Sequence, residues 1–398
     1  MIDIHAARHD PEGFRTALAR RGAAEAFDAL MAADARWREL VPQVDELRAQ
    51  QKVQGKPTPE QLEELKARKA RLNELETELA AAEVERDDAL AKVPNPSHES
   101  AADGMTEEDG VEIKRWGEPP QLAEPKEHTE IGRFELERAA KVSGSRFGFL
   151  VGDTAVVALA LYRFALDRLQ REGFTTVIPP VLVREEAMYG TGFFPSEKSD
   201  YYEIPADGLY LVGTSEVPLI AMHMDEILDE LPIRYCAFSS CFRRESGAAG
   251  RDTRGMFRLH QFQKVEMVVY TEPDKSWDEH DRMLAIEESL MQELGIPYRV
   301  VNTAAGDLST AAAKRYDIEG WFPSQDRYRE LTSCSNTTDY QARRSKIRYR
   351  AGDKALETPH TLNGTAATDR WLLALLENFQ GEVPDALQRF GAPARVTR

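Results

Sequence analysis

The strongest constraint on how this 398-residue chain folds is a seven-residue hydrophobic repeat in its first hundred residues. The repeat occurs on both sides of a Pro/Gly-rich break at residues 55–59. Heptad-patterned helices pack along one apolar stripe, and a short break lets the second helix fold back on the first. The sequence therefore predicts an antiparallel coiled-coil hairpin over about residues 28–92. The repeat positions are Leu30, Trp37 and Val44 with Ala33, Leu40 and Leu47, then Leu65, Leu72 and Leu79 with Leu75, Ala82 and Ala89.

Charge is unevenly distributed along this predicted hairpin, with acidic residues towards its base at 74–88. One interpretation is a solvated coiled coil whose charges segregate by chance. The other is a basic distal surface that binds a polyanion and stands on an acidic stem. The basic residues near the tip include Arg48, Lys52, Lys66, Arg68, Lys69 and Arg71.

The whole chain is acidic, with 51 Lys+Arg against 68 Asp+Glu and a net charge of −17. This balance argues against indiscriminate binding to nucleic acid or anionic lipid, but it leaves room for a local basic patch. The three cysteines form no CxxC pair and no Cys/His cluster with metal spacing, which argues against a disulfide framework and a zinc site. No signal peptide or membrane-spanning stretch is predicted, so we expect a cytoplasmic protein without a membrane partner.

Composition changes after residue 93, and the acidic, Gly-bearing stretch 101–110 is typical of a linker. We therefore expect an N-terminal domain over 1–100 and a larger domain over 111–398. Strands cluster in the larger domain without regular βαβ alternation, which predicts an α+β fold with a largely antiparallel sheet flanked by helices. Predicted strands are 174–183, 209–212, 233–239, 256–270, 298–301 and 328–333, and predicted helices are 153–170, 277–294 and 368–379.

Residues 242–266 carry the pattern with the most chemistry: a strand, a charged Gly-rich loop and a second strand. On the second strand Phe262, Lys264 and Glu266 share one face by the two-residue period. Opposite Arg243 and Glu245, this face can flank a nucleotide, with the ring stacked on the base and the guanidinium on a phosphate. From spacing alone, a charged surface hairpin is an equally good interpretation.

Other segments complete an ordered set with residues 242–266. They are Gly173 to Val181, Thr214-Ser215-Glu216, Arg329 to Asn336, and Asn363-Gly364-Thr365 with Asp369-Arg370-Trp371. The set resembles the bacterial seryl-tRNA synthetases, a family of class II aminoacyl-tRNA synthetases, and especially their actinobacterial members. The first class signature matches 173–181, the second 242–266 and the third 363–371, and the other two segments match the family itself. Two positions depart from the commonest family form, with Ser215 in place of Ala and Asp369 in place of Gly, and the hairpin is shorter than usual.

The resemblance implies a homodimer, joined through the first class signature, that uses ATP and Mg²⁺ to activate L-serine. The seryl group would pass from the adenylate to the 3′ end of tRNA(Ser), with release of AMP and diphosphate. Alternatives are a paralogue that hands activated serine to a carrier protein or an antibiotic pathway, and a coiled-coil protein that binds a nucleotide without turnover.

The resemblance also implies roles for individual residues, with Arg243 and Arg370 as the catalytic pair. Glu330 and Ser333 would hold the metal ion, and the basic residues of the hairpin tip would bind tRNA. The implied ATP-binding residues are Arg243, Arg244, Glu245, Phe262, Glu330, Leu331, Thr332, Ser333 and Arg370. The implied serine-binding residues are Thr214, Ser215, Glu216, Arg243, Glu266, Asn363 and Thr365.

Overall fold

The computed structural model describes residues 1–51, 59–245, 255–352 and 355–398. The chain forms two compact units, Met1–Pro96 and Ser97–Arg398. No helix within the described ranges is long and apolar enough to cross a membrane.

The first unit is helical, and its two long helices form an antiparallel pair, which confirms the predicted hairpin. Arg36 lies 3.3 Å from Glu85, and Arg48 lies 2.9 Å from Glu76. Residue numbers therefore increase along one helix in the direction in which they decrease along the other. The apolar seam between them contains Leu40, Val44, Leu72, Leu75 and Ala82. The helices are α1 (Ile4–His9), α2 (Pro11–Ala19), α3 (Ala24–Gln50) and α4 (Pro59–Lys92).

The second unit is built on an eight-stranded sheet in the order β1-β9-β10-β11-β14-β8-β7-β2. Every neighbouring pair is antiparallel except β2 and β7, so the predicted α+β class with an antiparallel sheet is confirmed. The strands of this sheet are β1 (Val111–Trp116), β2 (Thr175–Val177), β7 (Ile233–Phe242), β8 (Gln261–Thr271), β9 (Tyr298–Asn302), β10 (Lys314–Phe322), β11 (Arg327–Asn336) and β14 (His360–Thr368).

Two small three-stranded sheets accompany the large one, in the orders β13-β12-β6 and β3-β5-β4. Their strands are β3 (Leu182–Arg184), β4 (Glu203–Ile204), β5 (Leu209–Leu211), β6 (Ile227–Leu228), β12 (Arg348–Ala351) and β13 (Ala355–Glu357). The helices of the second unit are α5 (His128–Ile131), α6 (Leu136–Ser143), α7 (Asp153–Arg171), α8 (Glu185–Thr191), α9 (Glu216–Ala221), α10 (Ser276–Leu294), α11 (Tyr340–Arg344), α12 (Asp369–Phe379) and α13 (Asp385–Gln388).

The main core lies where α7, α10 and α12 pack on the large sheet. Trp371 of α12 is fully buried, and its indole N–H donates to the carbonyl of Leu331 on β11, 3.2 Å away. This contact joins the start of α12 to the middle of β11, so the polar residues next to each of them are held at one place.

The structure differs from the sequence predictions at several elements. Strands β10 and β14 are absent from the predictions, and the strand expected from 256 begins at Gln261. The predicted strand 174–183 is divided into β2 and β3 around Pro179 and Pro180, because proline cannot donate to a strand ladder. The segment 101–110, expected to be a linker, belongs to the second unit, where Ala101 and Ala102 are buried.

Candidate active site

Two adjoining cavities lie over β8, β11 and β14, and they share Arg243, Lys264 and Ser333. The first cavity brings together residues from the second and third implied class signatures and from the family segment 329–336, namely Arg243, Glu245, Phe262, Glu330, Leu331, Thr332, Ser333, Thr365 and Arg370. The second cavity contains Thr214, Glu216, Arg243, Glu266, Ser333 and Asn363. Residues far apart in the sequence therefore meet around one shared arginine.

Two β-bulges set which side chains face the first cavity. Residues three apart on a regular strand point to opposite faces. The register between β10 and β11 shifts at Leu331, because Glu330 pairs with Glu319 and Thr332 with Ile318. The extra residue lets both Glu330 and Ser333 line the same cavity. A second shift on β14, between Thr365 and Ala367, does the same for Thr365 and Thr368.

Arg370 and Glu330 form a charged pair on one side of the first cavity. Nη1 of Arg370 lies 3.3 Å from Oε2 of Glu330 and donates to the Glu330 carbonyl at 3.1 Å. Glu330 keeps about half of its side-chain surface open to the cavity. The surrounding protein opposes ionisation of Glu330, but Arg370, Arg315 and Arg243 outweigh it and hold its pKa below the ordinary value. Glu330 is therefore an ionised carboxylate beside cationic side chains.

Arg243 and Phe262 form the opposite side of the first cavity. The guanidinium carbon of Arg243 lies 5.3 Å from the centre of the Phe262 ring, in the range of a cation–π contact. Glu245 has a positive φ of 53° and pairs with Arg258 at 2.5 Å. The positive φ is uncommon for a residue with a side chain, and it lies two residues after Arg243. This side can hold an aromatic base and an anion next to each other.

The second cavity is lined by buried carboxylates with defined partners. Oε1 of Glu216 accepts hydrogen bonds from Gln341 at 2.6 Å and from Asn363 at 2.9 Å. Oε2 of Glu266 lies 2.6 Å from the ammonium of Lys264 and accepts a hydrogen bond from Thr365 at 3.4 Å. Both carboxylates are more than nine-tenths buried. Such groups suit a small cationic ligand, because each has oxygen atoms able to accept further hydrogen bonds.

Burial and mutual repulsion raise the pKa values of these acids. Burial, followed by the charge of Glu266, raises the pKa of Glu216 to about 7. Burial raises the pKa of Glu266 as well, against the effect of Lys264. A third acid in this cavity, Glu197, has its pKa raised to about 7 by burial, although Arg243 opposes the shift. A bound cation would favour ionisation of all three.

Two of the implied ATP- or serine-binding residues do not line these cavities, and a third, Leu331, lines the first although its side chain is buried. Arg244 lies over the ring of Tyr202, at 5.4 Å from its centre, and its amide donates to the carbonyl of Asp200. Ser215 is completely buried, one residue before α9 begins. The Leu331 side chain belongs to the core, so Leu331 offers only its backbone.

Several residues of the site carry no implied role in the sequence. Glu197 and Arg315 line the second cavity, Lys264 lines both cavities, and Arg258 lines the first. Lys264 could have been found, because it shares a strand face with Phe262 and Glu266. Glu197 and Arg315 come from remote segments without a motif, and only the fold brings them to Arg243.

The basic residues of the hairpin tip lie on an exposed surface, mostly beside acidic residues. Lys66 pairs with Glu63 at 2.7 Å, and Arg71 with Glu74 at 3.1 Å. Arg48 and Arg68 pair with Glu76 and Glu64. Exposed pairs of this kind are weak, so the cations can exchange partners. Lys52 lies outside the described residues.

The donor set of the first cavity fits a hard divalent cation. Glu330 offers an ionised carboxylate and Ser333 a hydroxyl, and Mg²⁺ is commonly bound by one or two protein oxygens together with substrate phosphates. Within the described ranges no group of three or more His, Cys, Asp or Glu residues could hold a metal ion by itself. The site therefore suits a metal that arrives with a phosphate ligand.

The fold and the site define a class II aminoacyl-tRNA synthetase. Residues 202–379 match the family described as tRNA synthetase class II core domain (G, H, P, S and T), and residues 1–96 match the Seryl-tRNA synthetase N-terminal domain. The chain is 47% identical to the serine--tRNA ligase of Thermobifida fusca, over 98% of this chain and 97% of that one. It is 46% identical to the enzyme of Nocardia farcinica, over 98% of each.

A solved structure agrees with these relatives. The seryl-tRNA synthetase of Pyrococcus horikoshii, complexed with ATP, superimposes with a TM-score of 0.92 at 38% identity over the full length of both chains. The chain therefore belongs to the seryl-tRNA synthetase family, which confirms the predicted resemblance.

Replacing Glu216 by glutamine should stabilise the fold more at pH 8 than at pH 5. The pKa of Glu216 is about 7 in the folded chain, and a free glutamate titrates near ~4.3. Ionisation of Glu216 therefore costs stability that grows as the pH rises through this window and is complete above it. The amide avoids this cost, while its oxygen still accepts from Gln341 and Asn363. We expect a difference of about 2 kcal/mol between the two pH values.

Thermal unfolding of the wild type and Glu216→Gln at both pH values measures this difference. Glu186→Gln, which changes an exposed glutamate on α8, is the matched control and should show little dependence on pH. An equal stabilisation by Glu216→Gln at pH 5 and pH 8 would contradict the raised pKa.

Proposed function

We propose that this chain activates L-serine with ATP and transfers the seryl group to the 3′ end of tRNA(Ser). The observation that carries the proposal is the pair of adjoining cavities around Arg243. One cavity combines an aromatic ring with cationic side chains, which suits a nucleotide. The other contains buried carboxylates, which suit the ammonium group of an amino acid. The two ligands would thus meet at the shared arginine.

Activation joins the serine carboxylate to the α-phosphate of ATP. A carboxylate oxygen attacks phosphorus in line, the bond to the β-phosphate oxygen breaks, and diphosphate leaves. The carboxylate is already a nucleophile, so this step needs alignment and charge stabilisation more than a general base. Arg243 would stabilise the α-phosphate, Phe262 would stack on the adenine, and Arg370 would bind the γ-phosphate.

Mg²⁺ is part of the proposal. Glu330 and Ser333 would hold it beside the phosphates. Its charge would offset that of the departing diphosphate.

Transfer then consumes the adenylate. A hydroxyl of the terminal tRNA ribose attacks the carbonyl carbon, the bond to the phosphate breaks, and AMP leaves with the released proton taken up by solvent. The match of residues 1–96 to a seryl-tRNA synthetase N-terminal domain favours tRNA over a carrier protein as the acceptor. A tRNA substrate also fits a cytoplasmic location.

Selection of serine follows from the second cavity. Glu216 and Glu266 would bind the ammonium, and Thr214, Asn363 and Thr365 would add hydrogen-bonding groups around the side chain. A buried site built to hydrogen-bond a hydroxyl discriminates strongly against an analogue that lacks one. Alanine would therefore leave polar groups unpaired, whereas threonine would have to fit an additional methyl group.

Arg243→Ala should abolish ATP–diphosphate exchange with serine while the fold is retained. The change removes the arginine that the two cavities share, and the loss of one such group typically costs about 10²–10³ in rate. Arg244→Ala is the matched control, because its side chain lies over Tyr202, and exchange should stay within a few-fold of the wild type.

The same exchange assay tests the proposed activity. Wild-type protein with ATP and Mg²⁺ should exchange diphosphate with serine and far less with threonine or alanine. No exchange with any of the three would refute amino-acid activation. Exchange without charging of purified tRNA(Ser) would favour the carrier-protein alternative.

Neutralising the hairpin tip should weaken aminoacylation and spare exchange. In a triple Lys66→Ala, Lys69→Ala and Arg71→Ala variant we expect the KM for tRNA to rise about tenfold, because phosphate contacts are lost. The loss of these contacts should also make tRNA binding less dependent on salt. Initial rates of charging at several salt concentrations measure this change.

A variant at the base of the hairpin that removes three charges of the opposite sign is the control for that experiment. Glu78→Gln, Glu83→Gln and Asp87→Asn also change three charges on α4, but they should not raise the KM for tRNA. A tip variant with wild-type charging kinetics would rule out this surface as the tRNA-binding element.

The chain is also proposed to form a homodimer through the first class signature. Ile178, between β2 and Pro179, is 91% exposed, and Leu159 on α7 is 63% exposed. Large apolar side chains at such exposure are typical of a surface that another chain covers.

Ile178→Asp should convert a dimer into monomers. Wild-type protein should sediment at twice the 44.8 kDa chain mass, and the variant at a single chain mass, because a carboxylate buried in an apolar interface is costly. Val84→Asp, at an exposed apolar position on α4, should remain dimeric. A monomeric wild type at micromolar concentration would refute the interface.

A further inference from the structure

Asp369, the first residue of α12, holds three elements together with its side chain. One carboxylate oxygen accepts a hydrogen bond from the hydroxyl of Tyr162 on α7. The other accepts from the backbone amide of Gln263 on β8, 2.9 Å away. Asp369 and Tyr162 are 8% and 4% exposed, so the network is shielded from water. Burial raises the pKa of Asp369, and both hydrogen bonds oppose that shift.

The bond to Gln263 continues a strand pairing that would otherwise stop. The ladder between β14 and β8 ends at the pair Thr368 and Lys264. Gln263 is the next residue of β8, but the chain after Thr368 enters a helix. The carboxylate of Asp369 therefore provides the acceptor that a further strand residue would have offered.

Asp369 lines the first cavity, and so does a neighbour of each of the two residues. Phe262 precedes Gln263, and Arg370 follows Asp369. The hydrogen bond between Asp369 and the amide of Gln263 thus connects the residue before Arg370 with the residue after Phe262. It also lies in the first turn of α12, where a negative charge is favoured by the helix dipole.

We propose that Asp369 is a positioning residue for ATP, which fixes the distance between Phe262 and Arg370, and that Tyr162 keeps its carboxylate in that orientation. The inference rests on the proposed function for the roles of Phe262 and Arg370. Without this hydrogen bond, the start of β8 and the start of α12 can separate, and the base and the γ-phosphate can no longer be held together. Serine contacts none of these residues in the proposed arrangement, so its binding should change little.

Three variants test the proposal in the full-length chain. Asp369→Ala removes both hydrogen bonds and should raise the KM for ATP about tenfold, because hydrogen bonds to a buried charged group are lost. Asp369→Asn keeps an acceptor for Gln263 and should recover part of the loss. Tyr162→Phe keeps the carboxylate and should raise the KM for ATP about threefold. The KM for serine should stay within about twofold in all three.

Tyr298→Phe is the matched control. Tyr298 is equally buried and donates to the carboxylate of Glu288 at 2.7 Å, away from both cavities. It should lower thermal stability about as much as Tyr162→Phe and leave the KM for ATP unchanged. Equal effects of the two tyrosine variants on the KM for ATP would overturn the proposal, because they would indicate general destabilisation.

Calorimetric titration of ATP into each variant separates this inference from the proposed function. Weaker ATP binding by Asp369→Ala and Tyr162→Phe, but not by Tyr298→Phe, supports the positioning role even if serine-dependent exchange is absent from the wild type. If Asp369→Ala does not fold, the comparison of the two tyrosine variants still decides the matter. Unchanged ATP affinity in folded Tyr162→Phe and Asp369→Asn would refute the proposal.

Discussion

The arrangement of the site depends on the pairing of β14 between β8 and β11. Backbone hydrogen bonds of this one strand place Thr365 opposite Glu266 on one side and Gly364 opposite Cys334 on the other. A Cβ at position 364 would lie 2.6 Å from a carboxylate oxygen of Glu287 on α10, so any side chain there would force the buried Glu287 to move. The glycine thus lets α10 pack closely behind the strand that joins the two cavities.

Electrostatics divide the site into two regions with opposite preferences. Cationic side chains hold the pKa of Glu330 in the first cavity below its ordinary value, whereas burial raises the pKa values of Glu216, Glu266 and Glu197 in the second cavity. Glu216 already accepts two hydrogen bonds from neutral amides, which orient it without satisfying its charge. An ammonium ligand therefore gains an oriented partner that pays no cost of rearrangement.

How much of this could be predicted from the sequence depends on the range of the interaction. The two-residue period correctly grouped Phe262, Lys264 and Glu266, because a strand alternates its side chains without help from the rest of the fold. The heptad repeat predicted the hairpin because the periodicity of a helix is likewise a local property of the sequence. Strand β14, with the sequence HTLNGTAAT, carries glycine and small residues of low strand propensity, so only its partners make it a strand.

Side-chain direction was the least predictable property. Arg243 and Arg244 are adjacent, and one faces both cavities while the other stacks on Tyr202. The two-residue period places them on opposite faces, but only the fold shows which face carries the cavities. Glu330 and Ser333 share a cavity only because a bulge at Leu331 changes the alternation, and a bulge is defined by two strands together. The partner of Asp369 is equally hard to predict. Asp369 lies at a helix start, where any acidic residue is favoured, but its carboxylate meets the amide of Gln263 only because the ladder between β14 and β8 ends there. In the proposed function, the residues with an implied role supply the chemistry, and residues without one, such as Asp369 and Tyr162, would determine how accurately that chemistry is aligned.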